Sequence, residues 1–178
     1  MADGVGYREH MFVLGIDPGL TRTGYGVVEK SPPGLRAVAV GVIRTDRNAR
    51  LADRLVELHR DLSSIITEYP IDAAAIEQVF VNRNRMTATS VARASGVALL
   101  AIAQAGISVV EYTPSAVKMA LTGYGAADKD QVQKVIQMRL GLEEIPQPAD
   151  AADALAIAVC HVQAAGLQWR LEKAGATG

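Results

Sequence analysis

The residues from Met11 to Ile16 form a continuous apolar run that ends in a single acid, Asp17, followed at once by Pro18-Gly19. A run this short and this apolar reads as a strand buried on both faces, and the Pro-Gly pair turns the backbone sharply away from it. A strand of that kind needs a covered sheet around it, and it presents Asp17 at its tip. Asp17 alone could be a plain turn residue. It gains meaning if it is the first of four carboxylates that together hold divalent metal, the others being Glu77, Asp150 and Asp153.

The chain after Asp17 predicts how such acids could meet. Gly24 and Gly26 lead into a second strand at Val27-Val28-Glu29, Pro32-Pro33-Gly34 makes the next turn, and Ala37 to Ile43 is a third strand. Turns this short imply an antiparallel meander, because a parallel pair needs a longer crossover. From about Ala49 the period changes: Leu51, Leu55, Leu58, Leu62 and Ile65 mark one face of an amphipathic helix. Ile71 to Ile76 is then a buried strand ending in Glu77. A polar loop over 78–86 precedes a helix from about Thr87 to Ala105 built of small residues, suited to tight packing on something flat. Ile107 to Tyr112 is a fifth strand, and Thr113-Pro114 opens a helix as N-cap and first helical residue. Asp128 and Gln131 have capping-box spacing, and a final helix runs from about Ala149 to Ala164. The expected architecture is α/β: a mixed five-stranded sheet flanked by helices in a single domain over 11–165, with flexible tails at 1–10 and 166–178. In open sheets of this kind ligands sit at the carboxyl ends of strands near a switch in strand order.

With 178 residues, 49% of them hydrophobic and 21% charged, the chain has the make-up of one ordinary folded domain. No apolar run approaches the ~20 residues that span a bilayer, residues 1–10 lack a secretory apolar core, and the lone Cys160 fits a reducing cytosol. A cytoplasmic protein with no membrane partner is expected. The net charge of -1 hides an asymmetry. Residues 82–139 carry seven basic side chains (Arg83, Arg85, Arg93, Lys118, Lys129, Lys134, Arg139) against three acidic ones (Glu111, Asp128, Asp130). A basic block beside acids that metal would neutralise suits an enzyme acting on nucleic acid, although a solvated surface with ordinary charge scatter accounts equally for the charges alone.

Asp150 and Asp153, three apart at a helix start, project from one face, and a helix N-terminus favours negative charge. Either could also be N-terminal charge with no ligand role, and Glu77 could simply be solvated. Four converging carboxylates without metal would repel one another, and some would protonate. Two divalent ions would balance them, and Mg²⁺ prefers oxygen ligands of this type. Metals roughly 3.5–4 Å apart can serve both the attacking water and the leaving oxygen of a phosphodiester. His161 lies about 12 Å beyond Asp153 along the helix, at ~1.5 Å per residue, and is expected in a packing or surface role. Cys160 is expected as core filler. The glycines at 15, 19, 24 and 26 are no phosphate-binding Walker loop, since no Gly-Lys-Ser/Thr follows.

Taken in order, several segments resemble one family. These are Gly15-Ile16-Asp17-Pro18-Gly19-Leu20; Ile76-Glu77-Gln78-Val79-Phe80 with Asn84; Thr113-Pro114-Ser115 with Val117-Lys118; Thr122-Gly123 with Gly125; Lys129 and Gln131-Val132; and Asp150-Ala151-Ala152-Asp153-Ala154-Leu155-Ala156. Together the sequence resembles the RuvC-type Holliday junction resolvases from residue 11 to 165. The resemblance implies an RNase H-like fold, a homodimer, and Mg²⁺-dependent symmetrical nicking of four-way DNA junctions that leaves 5′-phosphate and 3′-hydroxyl ends. Two Mg²⁺ per subunit are implied, with Mn²⁺ as a substitute, held by Asp17, Glu77, Asp150 and Asp153; some members carry His where this chain has Asp150. Lys118 and Lys129 match positions facing the DNA backbone, with Lys118 also neutralising charge in the transition state. Phe80 matches an aromatic that stacks at the junction centre, and Arg83 is a strand contact beside it. The branch-migration proteins RuvA and RuvB, and association with the nucleoid, follow from the family alone. The small-residue helix from Thr87 is where the resemblance puts the dimer interface. One departure is visible: many members have Arg just before the glycine of that helix, where this chain has Ser95-Gly96.

Two rival readings stand beside this one. An actin/hexokinase-like ATPase also carries an early Asp-x-Gly turn after a strand, but those chains need two such domains to enclose a nucleotide. A junction-binding protein with inactive acids is the non-enzymatic alternative, and four intact acids argue against it.

Overall fold

The computed structural model describes residues 10–79 and 85–175. Its elements run β1 (Met11–Asp17), β2 (Arg22–Ser31), β3 (Gly34–Arg44), α1 (Leu51–Glu68), β4 (Ala73–Glu77), α2 (Arg85–Gln104), β5 (Ser108–Tyr112), α3 (Pro114–Thr122), α4 (Lys129–Leu140) and α5 (Ala149–Gly175). The sheet order is β3-β2-β1-β4-β5. The β1–β2 and β2–β3 pairs are antiparallel, as short turns require, and the β1–β4 and β4–β5 pairs are parallel. β1 therefore sits where the sheet changes sense, with Asp17 at its carboxyl end.

Alternation along β1 divides its side chains between two cores. Leu14 and Ile16 pack with Leu58 and Leu62 of α1 and with Ala94, Ala98 and Ile102 of α2. On the other face Met11 and Val13 join a cluster with Val117, Ile136, Leu155 and Val159, from α3, α4 and α5. Leu14 and Ile16 are fully buried, so truncating either to alanine is expected to cost about 2–5 kcal/mol. The helix caps follow local chemistry: Thr113 Oγ1 accepts from the Ala116 amide at 3.1 Å, and Asp128 with Gln131 forms a capping box.

Two sequence expectations are corrected. Gly24 and Gly26 lie inside β2, which is much longer than Val27 to Glu29, because α5 crosses them closely. A Cβ on Gly15 would strike the Ala154 carbonyl, one on Gly24 the Asp150 carbonyl, and one on Gly26 would come within 2.7 Å of Leu155 Cδ2. These three positions need hydrogen for a side chain, not freedom of φ. The second correction concerns the last helix, expected to end near Ala164. α5 continues through Gly166 as far as Gly175, since one internal glycine costs a helix only about 1 kcal/mol and no proline follows. Among the described residues, no helix is long and apolar enough to cross a membrane.

Candidate active site

In the parallel β1–β4 pair Ile16 faces Ile76, so the next residues, Asp17 and Glu77, leave neighbouring strand tips in the same direction. The turn after Asp17 is braced by buried hydroxyls. Thr23 Oγ1 donates to the Gly19 carbonyl at 2.7 Å and Thr45 Oγ1 to the Leu20 carbonyl at 2.6 Å. Arg54 reaches in from α1 to donate to the hydroxyls of Thr45 and Thr21. Hydroxyls spent this way satisfy two backbone carbonyls of the turn. The glycine contacts with α5 then bring the first turn of that helix, with Asp150 and Asp153, down onto the strand tips.

Electrostatics give the convergence a magnitude. Burial, followed by the charges of Glu77, Asp153 and Asp150, pushes the Asp17 carboxyl up to about 7, against a small opposing pull from Lys129. Glu77 is also raised, first by burial and then by Asp153, while Lys129 and Lys118 pull it down. Two acids held above their ordinary range, by burial first and by neighbouring acids second, mark a site short of positive charge. The chain meets part of that need itself. Lys129 Nζ lies 2.7 Å from Asp153 Oδ2, and Arg22 Nη2 lies 2.5 Å from Asp150 Oδ2. The hydrogen bond to Asp153 is the main cause of a raised Lys129 ammonium.

Glu77, Lys118, Lys129 and Asp153 border a cleft of about 210 Å³ whose apolar wall is Val117, Val132 and Ile157. Among the described residues no three acid, histidine or cysteine groups already form a closed cage for an ion; Asp150 and Asp153 face Arg22 and Lys129 instead. The donor set itself fits a hard divalent cation, being all carboxylate oxygen, and the Asp17 shift identifies where positive charge is most needed. Lys129, expected to face DNA, is here turned inward onto Asp153. Phe80 and Arg83 lie outside the described residues.

His161 is buried, with Nδ1 3.0 Å from the Tyr112 hydroxyl, and burial lowers its pKa. Cys160 is buried in the core and its thiol is pushed up to about 11. Sequence reasoning missed Arg22. A signal for it exists: Arg22 and Gly24 are two apart on one strand, so both share the face that α5 covers.

The family profile for crossover junction endodeoxyribonuclease RuvC matches residues 13–161. The protein of that name from Syntrophomonas wolfei is 47% identical over 162 residues, which cover 91% of this chain and 94% of that relative. Its counterpart from Chloroflexus aggregans is 50% identical over 155 residues, covering 87% and 94%. The structure of T. thermophilus RuvC in complex with Holliday junction substrate matches with a TM-score of 0.85 at 37% identity, covering 90% of this chain and 98% of that one. The five-stranded sheet and its helices are thus the RNase H-like resolvase fold, and the chain belongs to the RuvC family of crossover junction endodeoxyribonucleases.

Proposed function

We propose that the chain is a structure-selective endonuclease that resolves four-way Holliday junctions in recombination and repair. Asp17 carries the proposal: a half-buried acid crowded by Glu77, Asp153 and Asp150 at the carboxyl edge of a mixed sheet. Two divalent ions, Mg²⁺ with Mn²⁺ as substitute, would be held by these four residues and would supply Lewis acidity toward the scissile phosphodiester and its attacking water. The chain's own groups do the remaining work. Lys118, on the cleft rim, neutralises charge that grows on the phosphate oxygens. Lys129 holds Asp153 before substrate arrives and contacts the backbone of the bound strand. Phe80 stacks at the junction centre with Arg83 beside it; such stacking contributes about 1–3 kcal/mol per base.

A homodimer would carry two such sites for paired cuts. Its support is the outer face of α2, where Ala92, Gly96 and Leu100 are exposed while Ala94 and Ala98 on the inner face are buried. Small exposed residues let two helices approach closely. RuvA and RuvB are the expected partners in branch migration. Neither an ATPase nor an inactive junction binder is favoured by relatives that bear an endonuclease name. The reading is tested by incubating the protein with a synthetic four-way junction and with linear duplex of the same sequence. Symmetrical cuts in the junction alone, stopped by chelator, are expected. Equal cutting of the linear duplex would overturn it.

A further inference from the structure

Asp150 and Asp153 are each met by a cation of this chain, but the two cations are built in differently. Lys129 comes from α4 on a flexible stem that is half exposed. Arg22 comes from the start of β2, on the strand face where Gly24 lies against the Asp150 carbonyl. One strand therefore holds both the guanidinium and the backbone of its acid. Arg22 Nη2 sits 2.5 Å from Asp150 Oδ2, and Arg22 Nε is buried with no hydrogen-bond partner among the described residues. A donor buried without a partner is unfavourable, so contact with Asp150 is what keeps the side chain in this position.

We propose that Arg22 is a built-in counter-ion for Asp150, so that Asp150 becomes a ligand for a divalent ion only by exchanging Arg22 for that ion. The inference rests on reading the four acids as a divalent-ion site. Its physical content is competition. A carboxylate already engaged by a guanidinium must lose that pair before it can coordinate, and the apparent affinity falls by the worth of the pair. For a partly exposed pair this is about fivefold, equivalent to roughly 1 kcal/mol. The cost falls on the ion that Asp150 would help to hold, so that ion binds more weakly than it would beside a free carboxylate. The guanidinium also keeps Asp150 compensated when no ion is bound.

Calorimetric titration of the chelator-stripped full-length protein with Mn²⁺ and with Mg²⁺ tests this in four backgrounds: wild type, Arg22→Met, Asp150→Asn and the double variant, with Arg22→Gln as a second truncation. The expected result is about fivefold tighter binding, in Arg22→Met and Arg22→Gln, of the ion that Asp150 would help to hold, with the gain vanishing when Asp150→Asn is already present. Unchanged or weaker binding in both Arg22 variants would overturn the inference. So would the same gain in the Asp150→Asn background, because the cation would then act through its distant field and not through the pair. Asp17→Asn separates the two levels. If it binds both ions like wild type, the divalent-site reading itself fails; if it loses them while Arg22→Met gains nothing, only the counter-ion inference fails.

Discussion

Gly24 of β2 lies so close to Asp150 that any Cβ there would meet the Asp150 carbonyl oxygen. The neighbouring contact of Gly15 with the Ala154 carbonyl is of the same kind. Backbone carbonyls of a helix cannot swing aside as a side chain can, so α5 would have to move away as a body. Gly24→Ala should therefore destabilise the protein by at least about 3 kcal/mol, the upper end for overpacking. It should also separate Asp150 and Asp153 from Asp17. Gly34→Ala, at a position with nothing within 4 Å of an added Cβ, should stay within about 0.5 kcal/mol of wild type. Urea denaturation of the two variants checks this pair of expectations; equal midpoints would contradict them.

Asp17 makes the ion-free protein less stable as pH rises. Its folded-state pKa, about 7, lies above the ordinary 3.8, so between those values the folded state binds more protons than the unfolded one. Stability is then highest below about pH 4, falls through the window up to about 7, and levels off above it. Raised Glu77 adds a slope of the same sign. The Asp17 contribution is on the order of 4 kcal/mol, at about 1.36 kcal/mol per unit. In chelator, Asp17→Asn should be more stable than wild type at pH 8 and differ little at pH 4. Buried His161, whose pKa is lowered, contributes a slope of the opposite sign up to about pH 6.5, so the difference between Asp17→Asn and wild type is the quantity to follow. A difference that does not grow from pH 5 to 8 would contradict the electrostatic account of the site.

Lys118 borders the cleft with Glu77 and Asp153, and its proposed role is to offset the charge that grows on phosphate. Lys118→Ala should lower the single-turnover cleavage rate by about 10²-fold, with junction affinity changed far less. A gel-shift titration beside a quenched-flow measurement separates the two quantities. Equal single-turnover rates would remove the role.

Leu100 is a large exposed apolar side chain on the outer face of α2. If the proposed dimer forms through this face, wild type should be dimeric in light scattering and Leu100→Glu monomeric with its fold intact, with paired cuts on a junction giving way to single nicks. A variant that stays dimeric would place the interface elsewhere.

What the sequence made legible is local. An apolar run ending in an acid before a turn identifies the tips that carry Asp17 and Glu77, and Thr113-Pro114 and Asp128 with Gln131 identify helix starts. Joining these tips requires only that β1 and β4 be parallel neighbours, which the crossover through α1 makes natural. The close approach of α5 was not legible, because Gly15 reads as one more residue of an apolar strand, and Gly24 and Gly26 as lead-in residues, until the helix above them is known. Arg22 stayed hidden for the same reason: its partner lies at the far end of the chain. Gly166 reads as a helix stop in the sequence, but the residues around it carry α5 to Gly175.

Whether the four acids form one metal-dependent centre is tested most directly by cleavage of a synthetic four-way junction in Mg²⁺ by Asp17→Asn and by Glu77→Gln. The expected result is loss of cleavage in both variants with junction binding retained. Near-normal Mg²⁺-dependent cutting by either purified variant would contradict it.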